Sequence, residues 1–238
     1  MSESQLLSVK KIKSLEILKN SLKHNLRQIP RELGENRHID AARCSLNRIL
    51  IGEADPVKMV RDAEKTILQT TGKKLRSNGV LALEYLISLR SDTAVEIDEY
   101  FPQVVDWLED YLGCPIISAV VHLDEGNPHM HAIVLPLRNG RMTGSALVGY
   151  KGDLAALKQS HYKCVGRHFG LQMVESIPRF KRYEISRQIV HTLYLSKDLL
   201  DQPLIRTALQ NAIQIASHEL MAILGIQLSF DPLQHTKP

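Results

Sequence analysis

His122, Glu125, His129 and His131 fall within ten residues of one another, in the stretch VVHLDEGNPHMHAIVLPL from Val120 to Leu137. The apolar runs on either side read as strands, and Gly126-Asn127-Pro128 reads as the turn between them. Side chains at i and i+2 share a strand face, so His129 and His131 point the same way while Met130 enters the opposite layer. His122 ends the adjacent strand, and Glu125 lies in the turn, where it can fold back. Four ligand-type side chains thus converge on one end of a hairpin. Neutral imidazoles with a carboxylate bind Zn, Mn, Fe, Co or Ni, and a carboxylate with water also admits Mg, so these residues leave the metal open. Asp124 reads either as a group that orients a histidine from behind or as a cap of the turn.

The rest of the chain must hold that hairpin in place. LLSVKKI reads as a first strand and LEILKNSLKHNL as an amphipathic helix stopped by Pro30, with RELGENRHID a loop after it. Asp55-Pro56 caps and opens a helix running to about Thr70 with Gly72 as its stop. GVLALEYLISL is a strand, and AVEIDEYFPQVVDWLEDYLG is a helix ended by Gly113. After the histidine hairpin come a short RNGR connection and the helix DLAALKQSHYKCVGRHFG, ended by Gly170. Beyond Pro178 the pattern is helical only, over about 184–200 and 203–224. The expected fold is α+β, a layered sandwich in residues 1–178 with a helical C-terminal extension in 179–238.

Composition narrows the function classes. The chain has 238 residues, 44% of them hydrophobic, enough for one sizeable core. Its three cysteines, Cys44, Cys114 and Cys164, are far apart, which supports neither a disulfide framework nor a cysteine zinc site. No apolar run approaches the ~20 residues of a membrane span, so the expectation is a cytoplasmic protein with no membrane partner. The net charge of +4 is unevenly placed: residues 1–50 carry ten Lys/Arg against five acids. A second basic cluster groups Arg179, Lys181, Arg182 and Arg187. Such clusters suit a polyanion, and a solvated helix face is the plainer alternative.

At this point the residues carry a resemblance. HLDEGNPHMHAIVLPL resembles the signature H-x-D-E-x-x-P-H-x-H plus apolar strand of the MobV-type (Mob/Pre) plasmid mobilisation relaxases, also called plasmid recombination enzymes. These belong to the histidine-hydrophobic-histidine (HUH) endonuclease superfamily, represented here by HMH. NRHIDAARCSLNRIL is similar to the block N-x-x-I-D-x-x-R-x-x-L-N-x-x-L, and LKHNLR resembles the N-terminal histidine motif; the likeness spans about residues 5–175.

The resemblance implies an antiparallel central sheet flanked by helices, and strand-specific DNA nicking by transesterification at an origin of transfer, with covalent attachment to the 5′ end. His122, Glu125, His129 and His131 match the metal motif, with Mn the preferred ion because three imidazoles are an unusual shell for Mg. The motif histidine falls on His24, whose neutral imidazole would be the nucleophile, forming a phosphoramidate that keeps the strand activated for rejoining. Lys23 and Arg27 would hold backbone phosphates, and Arg37, Arg43 and Asn47 are further DNA-facing candidates. Tyr162 and Tyr150 are the rival nucleophiles, as in tyrosine-using replication initiators and transposases, although the Y-x-x-K spacing those favour is broken here by Val165. A non-catalytic DNA-binding module with a structural metal is the alternative of another class. The expected partner is single-stranded or hairpin DNA at the origin, with protein partners or self-association as the two roles open to the C-terminal helices.

Overall fold

The computed structural model describes residues 6–33, 39–73, 79–149, 151–173 and 179–215. The chain divides into two compact units, residues 1–174 and 175–238. The first unit is built on five strands: β1 (Leu6–Ile12), β2 (Arg48–Ile51), β3 (Ala82–Ser88), β4 (Ile116–His122) and β5 (His129–Val134). They form one sheet in the order β1-β3-β5-β4-β2, every neighbouring pair antiparallel. The histidine hairpin β4–β5 therefore sits in the middle of the sheet, with a neighbour on each side.

Strand alternation decides which helices cover which face. Leu83, Tyr85 and Ile87 of β3, with Met130, Ala132 and Val134 of β5, enter one core. They pack there with Tyr100, Phe101, Val104 and Leu108 of α3 (Ile97–Leu112) and with Leu157 of the later helix at Lys151–Cys164. The opposite face, from Ala82 and Ile133, packs on Leu18 and Leu22 of α1 (Leu15–Asn25) and on Met59, Ala63 and Ile67 of α2 (Pro56–Thr71). His129 and His131, one residue out of phase with Met130 and Ala132, belong to this α1/α2 face.

The helix signals act where the sequence puts them. Asp55 accepts hydrogen bonds from the backbone N–H of Val57 and Lys58, and Gly72 closes α2 in the left-handed region at φ 64°. Such a cap contributes about 1 kcal/mol. Asn139 and Gly140, at φ 49° and 72°, make the two-residue turn between β6 (Leu137–Arg138) and β7 (Arg141–Met142), as RNGR suggested. A short α4 (Gly144–Val148) leads to α5 (Lys151–Cys164), which ends earlier than the sequence pattern suggested, in a 3-10 turn over Gly166–Phe169 before Gly170. The edge strand β2 was not anticipated: AARCSL forms a 3-10 turn, and only the four residues after Asn47 pair with β4.

The second unit contains α6 (Arg179–Leu195), a 3-10 turn at Lys197–Asp201 and α7 (Pro203–Ile215). Among the described residues, no helix is long and apolar enough to cross a membrane.

Candidate active site

Antiparallel register puts His122 directly opposite His129, and His131 beside Val120 on the same strand pair. Each imidazole is held by one nitrogen. His122 donates Nε2–H to the backbone carbonyl of Asn25 at 2.8 Å, His129 donates Nδ1–H to the carbonyl of Asn127 at 2.8 Å, and His131 donates Nδ1–H to Glu84 Oε1 at 3.0 Å. Carbonyls and carboxylates only accept, so these bonds fix the tautomers. The remaining nitrogens, His122 Nδ1, His129 Nε2 and His131 Nε2, each keep a bare lone pair. One ligand atom from each ring lies within 4.8 Å of the other two. His122 Nδ1 and His129 Nε2 are 3.2 Å apart, and with both protons committed elsewhere these lone pairs repel unless a cation lies between them. The donor set therefore fits a metal ion. Glu125 adjoins it: Glu125, Asp124 and His122 form a second set of candidate ligands within 4.8 Å, and Glu125 Oε1 is 3.9 Å from His129 Nε2.

The covering wall is the end of α1. Its buried positions Leu18, Ser21, Leu22 and Asn25 follow helical spacing, and this stripe brings Asn25 down onto His122. The helix closes in a Schellman turn, Gln28 N–H to Lys23 O and Arg27 N–H to His24 O, with Arg27 in the left-handed region at φ 55°. A non-glycine residue there costs about 1 kcal/mol or more. Its side chain shows what offsets that: Arg27 Nε and Nη2 donate to the two oxygens of Asp124 at 2.8 and 2.7 Å, and Nη2 also donates to Glu125 at 2.7 Å. The Arg27 and Asp124 side chains are 6% and 0% exposed.

Three of the sequence candidates meet in this lock. Among the described residues Asp124 makes no hydrogen bond to a histidine; it receives Arg27 and also Asn47 Nδ2 at 2.7 Å. Arg27 faces inward onto these carboxylates, and its Nη1 has no partner among the described residues. Asn47, offered by the sequence as a base reader or a backbone partner, pairs with backbone: its amide oxygen accepts from Leu123 N–H and its nitrogen donates to Asp124, which fastens the turn.

His24, in the last turn of α1, stands with its ring 5.7 Å from that of His131 and 6.1 Å from that of His122, edge to face with both. Its Nδ1 is 2.8 Å from Glu32 Oε2. A cleft of about 670 Å³ opens here, lined by His24, His131, Glu84 and Glu32 together with Lys10, Lys23 and Arg31. Lys23 lines this cleft beside His24, and Arg43 is exposed on the 3-10 turn Ala41–Leu46. Tyr162 lies on α5, which packs against α3 on the other face of the sheet from the histidines. Arg37 and Tyr150 fall outside the described residues.

Electrostatics follow burial. Desolvation, then the positive charge of Arg27, pushes His122 down to about 2, which keeps that ring neutral, and burial likewise lowers His129. Burial alone would raise Asp124, but the hydrogen bonds from Arg27 and Asn47 outweigh it and hold this carboxyl well below its usual range. Glu84 behaves the same way: burial opposes, and the bond from His131 with the charge of Lys10 wins, so it stays ionised. Sequence reasoning passed over Glu84, Glu32 and Asn25. Glu84 left a signal, a lone carboxylate at an inward position of the apolar strand LALEYLISL, 7% exposed in the fold.

Comparison with known proteins agrees with this geometry. The solved MobM relaxase domain (MOBV; Mob_Pre), Mn-bound and in complex with plasmid pMV158 oriT DNA, superposes with a TM-score of 0.60 at 22% identity, covering 76% of this chain and 99% of that one. At that identity the likeness establishes the fold. The plasmid recombination enzyme type 3 of Staphylococcus aureus is 29% identical over 171 residues, 67% of this chain and 41% of that protein. A 65 kDa protein of Zymomonas mobilis is 29% identical over 135 residues, 53% of this chain and 23% of that protein. The chain thus spans less than half the length of these relatives. The family model of the plasmid recombination enzymes, Mob_Pre, matches residues 1–176, and it is to this family that the chain belongs.

Proposed function

We propose that residues 1–178 form a metal-dependent DNA nickase and strand transferase acting at an origin of transfer, with His24 as nucleophile. The observation that carries this reading is the set of three bare imidazole nitrogens beside the ring of His24. His122, His129 and His131, with Glu125 at their edge, would hold one divalent cation, Mn rather than Mg because the donors are mainly nitrogen. When bound, that ion supplies Lewis-acid polarisation of a phosphoryl oxygen and stabilises the charge that develops in the transition state.

The chain's own residues do the rest. Asn25, Asn127 and Glu84 keep the ligand rings in the tautomer that leaves one nitrogen bare. Arg27 fixes the carboxylates of the turn, and Lys23 and Arg43 supply positive charge for backbone phosphates. The MobM structures contain oriT DNA, which favours origin DNA, single-stranded or hairpin, as the partner here. Tyr162 is disfavoured because the whole sheet separates its helix from the histidines.

The test is incubation of the protein with Mn and a pool of single-stranded oligonucleotides, followed by mass-spectrometric mapping of any DNA-linked peptide. The expected product is a 5′-phosphoryl adduct on the peptide carrying His24, absent from His24→Ala. An adduct on Tyr162 or Tyr150 would overturn the nucleophile. DNA binding that survives chelation, with no adduct under any condition, would replace the enzyme with a binding module.

A further inference from the structure

Every ring of this cluster is tethered through one nitrogen, and the fourth tether is unlike the rest because it serves the nucleophile and not a ligand. His24 Nδ1 meets Glu32 Oε2 at 2.8 Å. Both side chains line the same cleft as His131 and Glu84, and they are about one-third exposed, at 35% and 31%. The backbone arranges the meeting: the Schellman turn reverses the chain after α1, and the 3-10 turn Pro30–Glu32, opened by Pro30, carries Glu32 back alongside the last helical turn.

Resting on the reading of His24 given above, we infer that Glu32 is a positioning residue for the transfer reaction: its carboxylate holds the Nδ1–H of His24, so that Nε2 presents its lone pair to the phosphorus. A carboxylate can only accept this bond, which selects the Nδ1–H tautomer and restrains rotation of the ring. An imidazole without that acceptor populates the Nε2–H form, in which the reacting nitrogen has no lone pair to offer. The same carboxylate answers the charge that the step creates. Attack forms the Nε2–P bond and breaks the bond from phosphorus to the 3′ oxygen, which leaves with the electron pair and takes a proton from solvent. The ring becomes cationic with its proton on Nδ1, facing Glu32, and that proton passes through the carboxylate to solvent, so charge and atoms balance.

A surface ion pair of this exposure contributes little to stability, so a purely structural role predicts a silent substitution. The test compares wild type with Glu32→Ala, Glu32→Gln and His24→Ala. The first readout is two-bond 1H–15N correlation of histidine-labelled protein without metal. The second is Mn-dependent cleavage of a single-stranded oligonucleotide recovered from the pool. Glu32→Ala is expected to move His24 from the Nδ1–H to the Nε2–H pattern and to lower kcat about 10–100-fold with KM within about threefold. Glu32→Gln, whose amide oxygen still accepts the bond but can neither answer the charge nor take the proton, is expected to restore the tautomer and only part of kcat. An unchanged tautomer in Glu32→Ala, or kcat within about twofold of wild type, overturns the inference while the His24 reading stands. Adduct formation in His24→Ala overturns that reading itself, whatever Glu32 does.

Discussion

Asp124→Ala offers the sharpest physical test of the lock behind the histidines. The carboxylate accepts two bonds from Arg27 and one from Asn47, all between 2.7 and 2.8 Å, at a position with no solvent exposure. Its removal leaves Arg27 Nε without that acceptor, Nη2 with only Glu125, and Asn47 Nδ2 without its acceptor, in a pocket that water does not reach. Stranding one member of a buried ion pair costs about 3–5 kcal/mol. For a chain of this size each kcal/mol lowers Tm by about 2–4 °C, so the variant should melt about 6–20 °C below wild type. Urea unfolding should report the same loss as a shift in midpoint at constant slope. The double variant Arg27→Ala/Asp124→Ala should lose less than the sum of the singles, because the second change removes the stranded charge. A loss below about 1 kcal/mol, or additivity within about 0.5 kcal/mol, would refute the claim that Arg27 faces inward onto this carboxylate.

Further outcomes follow from the same contacts. Glu84→Ala, which removes the acceptor of His131 Nδ1–H, should weaken Mn binding about 10–100-fold by calorimetry. His129→Ala should abolish Mn-dependent cleavage while most salt-sensitive DNA binding survives in filter or anisotropy assays. Lys23→Ala should weaken binding across DNA sequences and flatten the salt slope by about one unit. His161, fully buried against Tyr100 and Trp107, is lowered by desolvation from 6.5 to about 4. The unfolded chain therefore takes up its proton first, so the contribution is complete above pH 6.5 and is lost as pH falls toward 4. At about 1.4 kcal/mol per unit this is worth roughly 3 kcal/mol, and His161→Phe should flatten the acid limb of denaturation accordingly.

The sequence by itself determined what is local. Helix boundaries at Asp55-Pro56, Gly72 and Gly113, the Asn139-Gly140 turn and the strand alternation that sets His129 and His131 on one face all depend on neighbours a few residues away. Those residues could be read directly because cap, turn and pleat chemistry act over one helical turn or one strand pair. The sequence also singled out His24, by a motif whose spacing says nothing about distance in space.

Tertiary structure alone decided which groups serve which. Glu84 and His131 are 47 positions apart, and Arg27 and Asp124 are 97. The family resemblance offered Arg27 as a phosphate contact, and nothing near it in sequence points to a carboxylate so far along the chain. Only folding brings Asp124 beneath it, where the desolvated carboxylate accepts two bonds from the guanidinium. In the same way no spacing rule could reveal that Asn25 O, Asn127 O and Glu84 each take one imidazole proton. The cluster is complete only once α1 brings Asn25 down onto His122 and β3 brings Glu84 beside His131.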